Sequence, residues 1–370
     1  MTTRTRLLFL VTEDWYFVSH RLALAIAAKE AGFEVFVATR ASEYTAAIRA
    51  QGIDVIPFAM ARRGLNPLGL LREAFGLAQL YRRLRPDLVH HVALRPVVVG
   101  GLAARMAGVP HVVAALTGMG FLFTDGARRH WARRVLEKTL PWLLGRGMTV
   151  VQNPTDRALL QKLGIASARI RLIPGSGVDV TTFRPLERAP NPVPIVMLPA
   201  RMLWDKGVGE FVVAARQLAG RARFVLVGGV DHGNPTAVPE AMLHAWVAEG
   251  VVEWWGHQPA MAEVLDQADV VCLPSYREGM PKVLLEAMAC AKPCVTTDSP
   301  GCRDCVRHHD NGLLVPARDE AALAAAIAWL LDHPAERQRM GACGRARALA
   351  EFAEERIVDE TLALYRDVLS

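Results

Sequence analysis

Residues 268–286 read ADVVCLPSYREGMPKVLLE. The opening ADVVCLPS is a compact, valine-rich apolar run bounded by turn residues, which predicts a buried parallel strand. Arg277, Glu278, Gly279 and Met280 then make a loop. Pro281 suits the first position of a helix, and strong helix formers follow it. A strand, a glycine-containing loop and a helix in that order turn free backbone N–H groups towards the loop, where an anion and above all a phosphate is stabilised. Glu278 is expected at the mouth of this turn and Glu286 further down the helix. Neither carboxylate serves an anion. An ionised carboxylate is purely an acceptor and can take both O–H groups of a diol. The pattern therefore fits a sugar nucleotide, with its diphosphate on the helix start and its hydroxyls on the two glutamates. Acidic residues near a helix start also stabilise its dipole with no ligand at all, so the rest of the chain has to discriminate.

Working outward, short apolar runs alternate with longer amphipathic ones along the whole chain, the pattern of parallel α/β architecture. Before residue 160 the expected strands are RLLFLV, EVFVAT, DVIPFA, DLVHHVA, HVVAAL and MTVVQN; after residue 190 they are PIVMLPA, RFVLVGG, VVEWWG, ADVVCLP, PCVTT and GLLVPA. The segment HRLALAIAAKEAG reads as a helix capped by Gly32. Residues 174–194, PGSGVDVTTFRPLERAPNPVP, are rich in Pro and Gly and read as a linker. The fold expected is α/β, two doubly wound Rossmann-like domains facing a cleft, with ligands at the carboxyl ends of the strands. The domains are placed at 1–180 and 190–350, and 351–370 forms a last helix that could pack back on the first domain. A chain of 370 residues also exceeds the size at which one core usually stops growing.

The formal charge of +6 conceals an asymmetry. Residues 1–185 carry 25 Lys/Arg against 12 Asp/Glu, and residues 186–370 carry 18 against 25. A basic half joined to an acidic one suggests that the first half faces a polyanion or an anionic membrane. No apolar run is long enough to span a bilayer, and LLFLV near the start is too short for a signal-peptide core, so the protein is expected to stay in the cytoplasm. Six cysteines in a cytosolic chain do not make a disulfide scaffold. Cys290, Cys294, Cys302 and Cys305 have a zinc-like spacing, but they lie in apolar helix and strand segments where small buried cysteines are routine. No metal site is assigned.

Other residues fit the carboxyl-end position. In PARMLWDKG, Arg201 and Lys206 follow a strand in one loop, where two cations could neutralise a diphosphate and stabilise the charge that builds as it leaves. They could equally be solvated surface charges. Gly228, in LVGG, ends another strand and would let a backbone come near a ligand.

The segments ARMLWDKGV, LVGG, LPSYREGMPKVLLEAMACAKPCVTTDSPGC and NGLLV, in this order, resemble the donor domain of family-4 retaining glycosyltransferases of GT-B fold, and Glu-x7-Glu is their most specific element. VTEDWYFVSHRLALA, RRGLNP, RLRPDLVHHVALRP and TGMGFLF resemble one branch of the acceptor domain, so the likeness covers essentially the whole chain. That branch is similar to bacterial enzymes that transfer N-acetylhexosamine to undecaprenyl-diphosphate-linked sugars. The resemblance implies a UDP-sugar substrate, with donor-sugar hydroxyls on Glu278, ribose on Glu286, diphosphate on Arg201 and Lys206, and backbone at Gly279, Met280 and Pro281 lining it. Gly256 and His257 fall where the family holds the base. Many relatives carry a histidine after the strand equivalent to HVVAAL; here Thr117 and Gly118 stand there. His90 and His91 lie on another strand, so no general base is assigned. The family then implies that the leaving phosphate oxygen takes the acceptor proton on the same face, with no metal or other cofactor required.

For the acceptor, a polyprenyl-diphosphate-linked glycan, the candidates are His20 and Arg21 at the start of the first helix, Arg95 after VHHVAL, and Thr117 and Gly118. Two amphipathic stretches, 66–86 and 128–146, set Arg and Lys beside Leu, Trp and Phe. Arg128, Arg129, Arg133, Arg134 and Lys138 in the second are the candidate contacts with an anionic inner membrane face. A nearer rival is an enzyme that rearranges or hydrolyses the sugar nucleotide. A nucleic-acid-binding protein lacks support, because no RNA-recognition signature or aromatic platform is present.

Overall fold

The computed structural model describes residues 4–61, 67–118 and 130–370, with side chains 130–133 outside the description. The chain divides into two compact units, Met1–Ser176 with Ile357–Ser370, and Gly177–Arg356. The first holds β1 (Arg6–Glu13), β2 (Glu34–Arg40), β3 (Asp54–Pro57), β4 (Leu88–Val92), β5 (His111–Leu116), β6 (Met148–Val151) and β7 (Ile170–Leu172). These form one sheet in the order β3-β2-β1-β4-β5-β6-β7, parallel throughout. The second unit holds β8 (Ile195–Pro199), β9 (Arg223–Val227), β10 (Glu253–Trp254), β11 (Val270–Leu273), β12 (Cys294–Thr297) and β13 (Gly312–Val315). Their order is β10-β9-β8-β11-β12-β13, again all parallel. Both orders reverse at one point, between β1 and β4 and between β8 and β11, as a doubly wound sheet requires.

The period of two along a strand explains why each sheet is covered on both faces. In β1, Leu7, Phe9 and Val11 enter a core with Leu24, Ala25 and Ala28 of the first helix and Ile357, Leu362 and Tyr365 of the last. Leu8 and Leu10 point the other way, into a core with Leu77, Tyr81 and Val99. In β8, Val196 and Leu198 pack with Phe211 and Ile327, whereas Ile195 and Met197 pack with Leu284, Leu285 and Met288.

The first helix begins at Asp14, directly after β1, and not near residue 20. Asp14 is fully buried and explains the early start. It accepts from the Ser42 N–H at 2.6 Å, the Ser42 hydroxyl at 2.6 Å and the Thr45 hydroxyl at 2.8 Å. Burial works against its charge, yet these donors prevail and hold the carboxyl below its ordinary range. His20 and Arg21 therefore sit mid-helix. His20 stacks on Tyr16 with centroids 4.1 Å apart, and Arg21 is only 6% exposed.

Strand β7 was not among the expected strands. It has three residues, only Ile170 of which is buried, and it closes the edge of the sheet.

The last helix, Glu354–Leu369, contributes Tyr365, whose hydroxyl is hydrogen-bonded to His90 Nδ1. On the opposite face of β4, His91 Nε2 meets the Tyr81 hydroxyl at 3.0 Å. Burial pushes His91 down to about 3 and His90 well below its ordinary value, helped there by Arg21 and His91. Both rings are neutral packing groups at pH 7.

Candidate active site

In the second unit the candidate residues come from the carboxyl ends of neighbouring strands. Arg201 and Lys206 follow β8, Gly228 follows β9, Gly256 and His257 follow β10, and Glu278 follows β11. A short 3-10 turn, Trp204–Lys206, ends at Gly207, whose φ is +75°. A Cβ on Gly207 would lie 2.3 Å from the Pro274 carbonyl oxygen, so glycine permits the turn to press against the end of β11. The Tyr276 N–H donates to the Asp205 carbonyl at 3.0 Å and ties the two loops together. Lys206 thereby meets Glu278 in an ion pair with both side chains mostly shielded. These two candidates, 72 residues apart, are joined at the β8–β11 switch point.

Behind them, the Glu278 N–H donates to the Pro300 carbonyl at 3.0 Å. A Cβ on Gly301 would fall 2.6 Å from the Glu278 carbonyl oxygen, so the chain after β12 buttresses the loop directly. Tyr276 donates its hydroxyl to Glu210 at 2.5 Å, and the Arg318 guanidinium lies 4.5 Å from its ring centroid. Neither Glu210 nor Arg318 stands out in the sequence, because both lie outside any motif.

Pro281 caps the following helix, Lys282–Ala289, and is not its first residue. This helix buries Leu284, Leu285, Ala287, Met288 and Ala289, leaving Lys282 and Glu286 half-buried one turn apart on the other face. Burial raises the Glu286 carboxyl above its ordinary value, and the nearby Lys282 charge opposes that rise. Glu354 shows the same balance of burial against Lys282. Gly279 is buried, and Met280 receives the Cys305 thiol at 3.0 Å.

The remaining candidates of this unit have partners of their own. Arg201 is paired with Asp231 at 2.8 Å and remains about half exposed. Gly228 does bring backbone close, but what approaches is the Ala200 carbonyl. Its own N–H donates to the Gly256 carbonyl at 2.7 Å, and its carbonyl accepts from Trp254 Nε1 at 2.9 Å. Gly228 and Gly256 therefore shape the strand ends themselves. His257 follows, exposed.

In the first unit, Arg95 is not a free cation: it holds Glu73 through two contacts of 2.9 Å. Thr117 and Gly118 follow β5 and are half-buried. Arg21 is buried, and its charge is near enough to His90 and Tyr365 to act on both. Arg128 and Arg129 lie outside the described residues, as does the Arg133 side chain, while Arg134 and Lys138 are exposed on the helix His130–Leu144. Among the described residues no helix is long and apolar enough to cross a membrane. Cys290, Cys294, Cys302 and Cys305 are buried, burial raises their thiols, and among the described residues no His, Cys, Asp or Glu side chains gather as a metal-binding group.

Two parallel, doubly wound sheets with a Glu-x7-Glu turn after the fourth strand of the second define a GT-B glycosyltransferase. Comparisons agree: residues 6–149 match the glycosyl transferase 4-like model and 193–333 the glycosyl transferases group 1 model. The chain belongs to this glycosyltransferase family. One relative is the N,N'-diacetylbacillosaminyl-diphospho-undecaprenol alpha-1,3-N-acetylgalactosaminyltransferase of Campylobacter jejuni, 31% identical over 94% of this chain and 95% of its own. Another is the putative glycosyltransferase EpsD of Bacillus subtilis, 28% identical over 97% and 96%. Among solved structures, a sucrose-phosphate synthase from Thermosynechococcus elongatus superimposes with a TM-score of 0.82 at 24% identity, covering 98% of this chain and 99% of that one. Anabaena HepE in complex with UDP and glucose gives 0.80 at 19%, covering 98% and 100%.

Proposed function

We propose that this glycosyltransferase moves an N-acetylhexosamine from a UDP-sugar, with retention, onto a polyprenyl-diphosphate-linked glycan at an anionic membrane face. The observation that carries the proposal is the Lys206–Glu278 pair at the β8–β11 switch point, with Glu286 on the helix that follows. Lys206 meets the diphosphate as negative charge builds on it, Glu278 orients the sugar hydroxyls, and Glu286 accepts from the ribose. The name of the Campylobacter relative supports the acceptor and the sugar, and the UDP held by HepE agrees with the nucleotide. The bond from the anomeric carbon to the diphosphate breaks, and the acceptor oxygen bonds to that carbon on the same face. Its proton passes to the departing phosphate oxygen. His90 and His91, buried and bonded to tyrosines, leave that route without a histidine competitor on β4. The reaction proposed uses no divalent cation.

Mass spectrometry of products from a panel of UDP-sugars with a polyprenyl-diphosphate glycan, with the anomeric configuration read by NMR, tests this reading. Glycosylated lipid with the donor's configuration, formed equally in chelator, is the expected result. Donor consumed with no change in the lipid would favour hydrolysis or rearrangement instead.

Glu286→Gln is expected to weaken UDP binding about tenfold or more, since hydrogen bonds to a charged group contribute roughly 1.5–3 kcal/mol. The sign with pH follows from the raised carboxyl. Only the ionised form accepts from both hydroxyls, so the wild-type advantage shrinks as pH falls towards the raised value, sooner than for an ordinary glutamate. Calorimetry across that range reads both effects, and equal affinities at neutral pH would take Glu286 out of the nucleotide site.

A further inference from the structure

At the edge of the first sheet, the amino ends of β5 and β6, the 3-10 turn Ser167–Arg169 and the last helix enclose a groove of about 350 Å³. That size is within the range of small-ligand sites. Its polar walls are His111, Arg146, Arg169 and Arg171, with Asp367 the one carboxylate and Leu364 part of the apolar floor. Asp367 is taken by Arg171 at 3.2 Å. Arg146 and Arg169 are exposed and form no ion pair among the described residues. On the second unit, by contrast, Arg216, Arg221 and Arg223 each hold a carboxylate. The groove thus keeps two uncompensated guanidiniums, the groups best suited to phosphate oxygens. It opens at the amino ends of the strands, whereas doubly wound sheets work at the carboxyl ends.

The basic rim continues beyond the groove. Arg105 lies near enough to Arg146 for the two charges to interact, and it sits 4.1 Å from the centroid of the Trp142 ring. Trp142 is 55% exposed, with Val135 at 53% on the same helix. An exposed tryptophan between arginines is the arrangement that seats at a bilayer interface.

We propose that this groove binds a phosphate ester, held by Arg146 and Arg169, and that the ester is the headgroup of an anionic phospholipid, with Trp142 entering the interface beside it. The anion chemistry stands apart from the transferase reading; only the choice of a membrane as its source rests on that reading.

The test uses the full chain with no donor or acceptor. Cosedimentation with phosphatidylcholine vesicles, with and without phosphatidylglycerol, is run beside calorimetry with glycerol phosphate and with UDP. R146E/R169E is expected to lower binding to phosphatidylglycerol vesicles by roughly tenfold or more, given the contribution of each basic residue at such a surface, while leaving UDP binding intact. The control K29E/R49E makes the same change of charge around β2 and β3, at the other edge of the sheet, and is expected to bind vesicles nearly as the wild type does. Loss of glycerol phosphate binding without loss of vesicle binding would make the ligand a soluble ester, still in this groove. The groove is ruled out if R146E/R169E binds both as the wild type does, or if the control loses as much as the groove variant.

Discussion

Lys206→Ala is expected to lower turnover about a hundredfold, the usual cost of removing one stabiliser of charge that develops in the transition state. Lys206 is held by its 3-10 turn, by Gly207 against Pro274 and by its pair with Glu278. In the proposed reaction, removing it would take positive charge from the departing diphosphate, and it leaves Glu278 without its ion-pair partner in a partly shielded position. Both effects act on kcat more than on KM for the acceptor. Arg201→Ala should cost less, because Arg201 is half exposed and already shares its charge with Asp231. Steady-state kinetics with both substrates varied separates these terms. If Lys206→Ala turned over at the wild-type rate, its role at the leaving group would have to be given up.

Gly228→Ala is expected to destabilise the second unit by about 3 kcal/mol or more, among the larger effects of a single substitution. Its φ of +143° is a conformation L side chains rarely adopt, and an added Cβ would lie 1.9 Å from the Ala200 carbonyl oxygen. Backbone would have to move at the ends of both β8 and β9, where Gly228 also bonds to Gly256. Urea unfolding followed by tryptophan fluorescence reads this well, because Trp204, Trp246, Trp254 and Trp255 all belong to the second unit. An unchanged midpoint would mean that the strand ends absorb a methyl group freely. Gly256→Ala offers a comparison, since nothing lies within 4 Å of its Cβ position and only its φ of +66° resists.

The architecture was legible because buried parallel strands write themselves as apolar runs, and β8, β9 and β11 are buried along nearly their whole length. β7 escaped because Arg171 and Leu172 are exposed at an edge, so neither alternation nor a continuous run marks it. The start of the first helix is not legible at Asp14 because the polar Thr12, Glu13 and Asp14 break the apolar run locally, while Ser42 and Thr45, which satisfy Asp14, are far along the chain. The same limit governs the site. Loop and helix after β11 could be read from local spacing, but the partners of the charges could not. That Arg95 is committed to Glu73, Arg201 to Asp231 and Lys206 to Glu278 are facts of tertiary contact.

The path of the chain has a consequence for how the protein is made. The second unit is bracketed by Val178 and Ala353, which lie side by side: the Val178 N–H donates to the Phe352 carbonyl at 2.9 Å and the Glu354 N–H to the Val178 carbonyl at 3.0 Å. The unit they enclose is continuous in sequence, so a ribosome delivers all of it in one stretch and it can close as soon as it emerges. The first unit has no such freedom. Ile357, Leu362, Leu364 and Tyr365 belong to the same core as Leu7 and Phe9, yet they are synthesised only after the whole second unit. Begun first, the amino-terminal unit is finished last, and for the interval between, His90 lacks its tyrosine and one face of the sheet has the first helix over it but not the last. A nascent chain stalled before residue 357 is therefore expected to leave exposed the apolar surface that Ile357, Leu362, Leu364 and Tyr365 cover.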